Sequence, residues 1–316
     1  MPQHIPSPVK FIMFRLAHIS DIHLSPLPPV RYRDLASKRI TGYVNWVKNR
    51  KNALECSVLD DLIHDMKAQK PDHIALTGDL VNLALNSEID IARQWLEKLG
   101  NPHDLSVVPG NHDAYVPGAL QKSCRAWEPW MRGDGIDNGD KAPQFPYLRQ
   151  RGDIAIIGVS SARATAPFMA SGDFLPAQAH RLALLLERTK QAGLCRVVMI
   201  HHPPIRGATP NYKRLFGIGR FQKIIKNYGA ELVLHGHTHL ATHYEIEGTN
   251  GATVPVICVP SASQSSGGHK PPARYNMFDI SKSENSWACE WSQRGILTQD
   301  NEIIAIGTHQ LALPAH

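Results

Sequence analysis

The chain has 316 residues, 42% of them hydrophobic and 20% charged, and a formal net charge of +6. This is the composition of a globular protein with a full core, which excludes a disordered or fibrous chain, and one domain is expected rather than two. Apolar runs such as FIMF and RVVMI stop well short of the roughly 20 residues that span a bilayer, so no membrane span is expected.

Residues 1–12 read as a flexible extension without the long apolar region of a signal peptide. FRLAHIS (14–20) then reads as a strand. Residues 31–51 carry seven basic side chains (Arg31, Arg33, Lys38, Arg39, Lys48, Arg50, Lys51) against the single acid Asp34. The whole net charge therefore lies in one basic, helical insertion. Leu54, Val58, Leu62 and Met66 recur every four residues and predict a helix that Pro71 ends. HIALTGD (73–79) is a strand; Ile91, Trp95 and Leu99 mark a helix closed by Gly100; LSVVPGNHD (105–113) runs from strand into loop. Residues 114–150, with the WEPW cluster, predict an irregular, lid-like loop. DIAIIGVSS, a helix from Pro176 to about Lys190, RVVMIHH, a helix near Phe221–Tyr228 and ELVLHGH follow. VPVICVPSAS and ARYNMFDI read as a final strand pair, with 283–316 left as a C-terminal strand and tail.

Strands alternating with helices imply an α/β protein with helices outside buried sheets. The five cysteines (Cys56, Cys124, Cys195, Cys258, Cys289) are odd in number, scattered and without a CxxC pair. That argues against a disulfide framework or thiolate zinc site, and for a reducing, cytoplasmic setting.

Five groups of potential metal ligands each fall at or just past the C-terminal end of a predicted strand. They are Asp21 and His23 in SDIH, Asp79 in TGD, Asn111–Asp113 in GNHD, His201 and His202 in IHHPP, and His237 and His239 in HGHTH. A single Asp or Asn after a strand is usually a turn or cap residue, and a single His usually a satisfied polar side chain. Chance placement of all five at the edge where α/β sheets bind ligands is a much weaker account. Oxygen and imidazole donors without thiolate suit manganese, iron, zinc, cobalt or nickel. The donors exceed what one tetrahedral ion needs, so two divalent ions are expected, with Asp79 as the natural bridge giving one oxygen to each. Such a pair suits phosphate ester hydrolysis. Gly78, Gly110 and Gly236 precede ligands and are expected to let the backbone turn tightly beneath them.

The ordered motifs DxH, GD, GNHD, HH and GHxH, from about Phe14 to Ile280, resemble the calcineurin-like metallophosphoesterase superfamily. The resemblance implies a four-layer α/β/β/α sandwich of two mixed sheets flanked by helices, within a domain over 13–282. It implies one ion held by Asp21, His23, Asp79 and His239, and another by Asp79, Asn111, His201 and His237. His112 would contact the phosphate and protonate the departing alkoxide, Asp113 would orient His112, and a metal-bridging hydroxide would attack phosphorus. Of the HHPP pair it favours His201 as ligand, leaving His202 outside the ligand set or facing substrate. His18 reads as a packed structural residue.

Fold and metals do not name the substrate. A small phosphodiester, such as a cyclic nucleotide or glycerophosphodiester, is the first reading. A lipid-linked pyrophosphate such as UDP-2,3-diacylglucosamine is the second. The intact ligand set argues against a pure binding module, and basic residues confined to one stretch argue against a nuclease or nucleic-acid partner. For 31–51 three readings stay open. Ala36, Ile40, Tyr43, Val44 and Val47 could pack a helix onto the domain with Trp46 at its edge, although Gly42 weakens that helix by roughly 1 kcal/mol. The stretch could instead touch an anionic inner-membrane surface, or meet the substrate directly through Arg39 and Trp46.

Overall fold

The computed structural model describes residues 13–35, 37–50, 56–137, 139, 142–283, 286–297 and 300–314, the side chains of 49, 50 and 56 excepted. The extension 1–12, and Ala36, Lys51 and Leu54, lie outside the described residues. In chain order the strands are β1 (Met13–Ile19), β2 (His73–Leu76), β3 (Leu105–Val107), β4 (Tyr147–Arg151), β5 (Ile154–Gly158), β6 (Gly172–Asp173) and β7 (Cys195–Met199). They continue as β8 (Leu215–Phe216), β9 (Leu232–His235), β10 (His243–Glu247), β11 (Thr253–Cys258), β12 (Arg274–Lys282), β13 (Trp287–Ile296) and β14 (Ile303–Ala312). The α-helices are α1 (Arg39–Asn45), α2 (Cys56–Ala68), α3 (Asn86–Leu99), α4 (Ala119–Ala126), α5 (Glu128–Met131), α6 (Pro176–Gln191) and α7 (Ile218–Tyr228).

Two six-stranded mixed sheets form the body, in the orders β14-β13-β12-β1-β2-β3 and β10-β11-β9-β7-β5-β4. Strands β1, β2 and β3 run parallel, as do β5, β7, β9 and β11, and the outer strands return antiparallel. The alternation of side chains along β7 shows the layering. Cys195, Val197 and Met199 join the apolar cluster of the first sheet, with Leu16 and Phe278, whereas Val198 and Ile200 pack with Leu182 and Leu186 of α6 and Phe221 and Ile225 of α7. Helices α2 and α3 cover the first sheet through Leu59, Leu62, Met66, Ile89 and Leu96. The result is the expected four-layer α/β/β/α sandwich.

Three local expectations change. VPVICVPSAS and ARYNMFDI are not a pair: β11 joins β9 and β10 in the second sheet, and β12 joins β1 and β13 in the first. The C-terminal residues are not an appendage, because β13 pairs along the whole of β12 and β14 pairs with β13. The 114–150 stretch is built rather than irregular. It contains α4, α5 and β4, and its tryptophans are core, Trp127 donating to the Ile89 carbonyl at 3.0 Å and Trp130 to the Gly100 carbonyl at 3.2 Å. The buried Arg149 guanidinium ties the same stretch down by donating to the carbonyls of Pro102, Leu105, Pro129 and Arg132.

The basic insertion is helical, α1 followed by a π-type turn over Trp46–Arg50. Its orientation is the reverse of that expected from the apolar stripe. Trp46 is buried at 7% exposure, while Ile40, Val44 and Val47 are 55%, 46% and 47% exposed. Gly42 sets the register: a Cβ there would lie 2.2 Å from Tyr115 Oη and 2.7 Å from Leu83, so only the bare Cα face can approach.

Candidate metal centre

The loops after five parallel strands meet at one end of the two sheets. Asp21 and His23 follow β1, Asp79 follows β2, Asn111 follows β3, His201 follows β7, and His237 and His239 follow β9. The loop after β1 stays paired to the loop after β2 through Asp21 N to Gly78 O and His23 N to Asp79 O, both 2.9 Å. Five of these residues take left-handed backbone: Asp21 (φ 53°), His23 (42°), Asp79 (57°), His237 (69°) and His239 (55°). That conformation is costly for non-glycine residues, and strain of this kind gathers at functional sites. Of the three expected glycines only Gly78 is left-handed, at φ +95°. Gly110 and Gly236 are required for space, since a Cβ would lie 2.1 Å from Asp79 Oδ1 and 1.9 Å from Ser20 Oγ respectively.

Each carboxylate anchors one oxygen and directs the other inward. Asp21 Oδ2 accepts the His237 N–H at 3.0 Å, while its buried Oδ1 has no hydrogen bond and lies 3.0 Å from His239 Nε2. Asp79 Oδ1 accepts the His112 N–H at 2.7 Å, while Oδ2 faces His201 Nε2 at 3.4 Å and His23 Nε2 at 3.9 Å. The single oxygen Oδ2, rather than one oxygen to each side, is thus the one presented to both imidazoles. The imidazoles follow the same rule. His23 Nδ1, His201 Nδ1 and His237 Nε2 bond the carbonyls of Val81 (3.2 Å), Thr77 (2.6 Å) and Lys213 (3.0 Å), so the opposite nitrogen of each ring is turned to the cluster. Backbone carbonyls that fix tautomer and ring angle in this way are the usual support of metal-binding histidines. Asn111 Oδ1 lies 3.2 Å from His201 Nε2.

Donor atoms from Asp21, His23 and His239, and from Asp21, Asp79 and His201, lie within 4.8 Å of one another, and those of His23, Asp79 and His112 do likewise. The acids draw a proton onto one of the rings, His201. Burial opposes a charge on His201, but Asp79 and Asp21 carry its pKa up to about 9. Burial also works against the Asp79 carboxylate, yet His201 and His112 hold it well below the usual range. Burial, reinforced by His202 and His201, keeps His237 well below an ordinary histidine. A set of inward oxygens and nitrogens in which the acids hold a proton on His201 fits divalent ions, which displace that proton on binding.

His112 is half-buried. Its Nδ1 bonds the Asn82 carbonyl at 2.6 Å, and its ring stacks on Tyr115 with centroids 5.3 Å apart. Asp113 does not hold this ring. Its carboxylate accepts the backbone N–H groups of Asp79, Leu80, Val81 and Gly110, so it shapes the ligand-bearing turn instead.

The three residues expected to touch substrate are each held by the protein itself. His202 is fully buried with both ring nitrogens engaged, Nδ1 with Ser161 Oγ at 2.8 Å and Nε2 with the Ala170 carbonyl at 3.1 Å. Both of its nitrogens are therefore held outside the cluster, whereas His201 Nε2 meets Asn111 Oδ1 and Asp79 Oδ2 inside it, although the donor atoms of His201, His202 and His237 also lie within 4.8 Å of one another. Arg39 donates to the carbonyls of Leu83 (2.9 Å) and Ala84 (2.5 Å), and Trp46 is enclosed by the fold. His18 is buried against Thr77 Oγ1 at 2.9 Å, in keeping with a packing role. Sequence reasoning missed Tyr115, whose only signal is its position three residues beyond His112 in GNHDAY. It also missed the carbonyls of Thr77, Val81, Asn82 and Lys213, which no residue type announces.

The family model described as calcineurin-like phosphoesterase matches residues 14–241, a span that contains every donor named above. A glycerophosphodiester phosphodiesterase, GpdQ, of Enterobacter lignolyticus (strain SCF1) is 34% identical over 98 residues, covering 31% of this chain and 29% of that relative. The match thus spans less than a third of that curated relative. Among solved structures, a dimetal phosphatase from Danio rerio superposes with a TM-score of 0.59 at 12% identity, covering 94% of this chain and 98% of that one. The purple acid phosphatase PPD1 from yellow lupin (Lupinus luteus) seeds gives 0.53 at 13% identity, covering 96% and 55%. At such identities these structures speak to the fold alone.

Proposed function

We propose that this chain, which belongs to the calcineurin-like phosphoesterase family, hydrolyses a small phosphodiester at two divalent ions held by the cluster. Metal-dependent hydrolysis of phosphoesters comes with the family; the diester and the paired ions are our reading. The observation that carries it is the convergence of inward-facing oxygens and nitrogens from Asp21, His23, Asp79, His201 and His239 beside a half-buried His112. One ion would be held by Asp21, His23, Asp79 and His239, and the other by Asp79, Asn111, His201 and His237. Manganese, iron, zinc, cobalt and nickel suit these donors. When bound, the ions supply Lewis acidity to a phosphoryl oxygen and to water near neutral pH.

The chain's own residues do the rest. The Val81, Thr77 and Lys213 carbonyls hold three imidazoles in their binding tautomers. The Asn82 carbonyl takes the His112 Nδ1–H and turns Nε2 to the site. A proton on Nε2 passes to the departing alkoxide, which is a poor leaving group without it. The relative named as a glycerophosphodiester phosphodiesterase favours a small diester over a long polymer. A cytoplasmic setting is part of the proposal, supported by the free thiols Cys124, Cys195, Cys258 and Cys289.

The test is metal-loaded protein assayed side by side on bis-p-nitrophenyl phosphate, cyclic AMP, glycerophosphodiesters and UDP-2,3-diacylglucosamine, with elemental analysis. We expect close to two ions per chain and diester turnover that collapses in Asp79→Asn. Far fewer than two ions, or an Asp79→Asn protein as active as the parent, would sink the reading. A lipid-linked substrate is the second reading, favoured by the outward face of Ile40, Val44 and Val47 beside the basic Arg31, Arg33 and Lys48. No helix among the described residues is long and apolar enough to cross a membrane, so such contact would be peripheral. Pelleting with anionic liposomes that is lost on neutralising these three charges would support it, and no pelleting would discard it.

A further inference from the structure

We propose that Lys38, at the start of the basic insertion, grips a phosphate oxygen of the substrate over the metal cluster; this rests on the phosphodiesterase reading above. Its ammonium group donates to Thr165 Oγ1 at 2.6 Å and to the Met169 carbonyl at 2.7 Å, and lies 4.7 Å above the centre of the Tyr115 ring. These contacts place it between the two flanks of the site. On one side Tyr115 stacks on His112. On the other, the carbonyl after that of Met169, Ala170, takes His202 Nε2, and the His202 ring lies 4.3 Å from that of His237.

A purely structural tether is the competing explanation, and the geometry weakens it. Thr165 Oγ1 already donates to the Met169 carbonyl at 2.6 Å, so neither group needs the lysine for its satisfaction. Among the described residues no carboxylate lies within ion-pair distance of Lys38, although the residue is half-buried. An ammonium partly withdrawn from water without a counter-ion carries part of the cost of a buried charge. Burial accordingly lowers its pKa to about 8, partly offset by the electrostatic reach of Asp79 in the cluster. An ammonium has three N–H groups and two are used, which leaves one to donate. Once divalent ions outweigh the charges of Asp21 and Asp79, the anion that completes the balance is the phosphodiester, or the phosphomonoester product.

Lysine suits this task as a flexible point charge, in contrast to Arg39 next to it, whose fork is fixed on two carbonyls. The chemistry selected is an anionic phosphoryl group rather than any particular alcohol. A substrate gripped in this way loses binding when the charge is removed and keeps most of its turnover once bound.

The experiment compares metal-loaded parent, Lys38→Met, Lys38→Arg and Thr165→Val proteins by calorimetric titration with inorganic phosphate and by kinetics on bis-p-nitrophenyl phosphate. Melting curves check the fold of each. We expect Lys38→Met to weaken phosphate binding and raise KM about tenfold with kcat within a few-fold, Lys38→Arg to recover much of the binding, and Thr165→Val, which removes one of the two contacts that place the ammonium, to lose clearly less than Lys38→Met. Parent-like phosphate affinity in Lys38→Met, or an equal loss in Thr165→Val, would reduce Lys38 to a tether while leaving the phosphodiesterase reading intact. A metal-loaded parent that neither binds phosphate nor turns over diester would overturn that reading, and this inference with it. If Lys38→Met misfolds, Lys38→Gln and Lys38→Arg carry the same comparison.

Discussion

Asp113→Asn separates two accounts of the GNHD motif. In the structure Asp113 Oδ1 accepts Leu80 N–H at 2.9 Å and Val81 N–H at 3.3 Å, while Oδ2 accepts Asp79 N–H at 2.9 Å and Gly110 N–H at 2.8 Å. An amide keeps one acceptor oxygen. It is expected to stay on the tighter pair, Asp79 and Gly110, and this sets an NH2 against the N–H groups of Leu80 and Val81. Two buried donors then lose their partners, at roughly 1–3 kcal/mol each, so the fold should weaken by about 2–6 kcal/mol. The turn carrying Asp79 loosens as well, and the ion content should fall with it. Urea unfolding at matched metal load measures the first effect, and elemental analysis the second. An Asp113→Asn protein that unfolds within about 1 kcal/mol of the parent and binds its ions normally, but has lost turnover, would refute this account and restore Asp113 as the residue that orients His112.

His112→Asn should retain its ions and lose activity about a hundredfold or more on an alkyl glycerophosphodiester, with a smaller loss on bis-p-nitrophenyl phosphate, whose leaving group needs less protonation; equal losses on both would remove His112 as the acid. Gly236→Ala places a Cβ 1.9 Å from Ser20 Oγ and 2.5 Å from Asp21 Oδ2, so the ion count should drop, and a full complement of ions would contradict the close packing. Metal-free protein should lose stability as pH rises. The folded pKa of His201 stands near 9 against an ordinary 6.5, so its stabilising proton is fully present below pH 6.5 and lost on the way to 9. The scale is of the order of 3 kcal/mol. Lys38, depressed to about 8, opposes the trend at the upper end, so the slope is clearest between pH 6.5 and 8. The melting temperature should fall over that window after chelation and stay level with ions bound; a level metal-free profile would mean that His201 is not charged by its neighbours.

The layered fold and the donor set were legible because both are written in residue type and period. Strands such as RVVMI are apolar on both faces because both faces are covered, and donors after successive strands share one edge because parallel strands end together. What was not legible is carried by backbone. Side-chain identity cannot reveal that the Asn82 carbonyl holds His112, that the Thr77 carbonyl holds His201, or that Asp113 spends its carboxylate on four N–H groups. The HHPP ambiguity is of the same kind. His201 and His202 are identical in type and adjacent in chain, and they differ because Ser161 and Ala170 hold both nitrogens of one, while the Nε2 of the other meets only residues of the cluster, Asn111 and Asp79.

The basic insertion shows why periodicity alone can choose the wrong face. Ile40, Val44 and Val47 form the apolar stripe that a short surface helix normally buries. Three contacts outweigh it in α1: the Arg39 fork on Leu83 and Ala84, the Lys38 ammonium on Thr165 and Met169, and the bare Gly42 against Tyr115. Four residues after Gly42 on the same face comes Trp46, and it is this residue that goes inward, its ring stacked with Tyr43 at 6.5 Å. Glycine, which lowers helix propensity, here permits the close approach that sets the helix register. Sequence counting treated Gly42 as a cost of roughly 1 kcal/mol. In the fold the same residue lets the helix seat against Tyr115, with Lys38 over that ring, and leaves the aliphatic stripe facing outward.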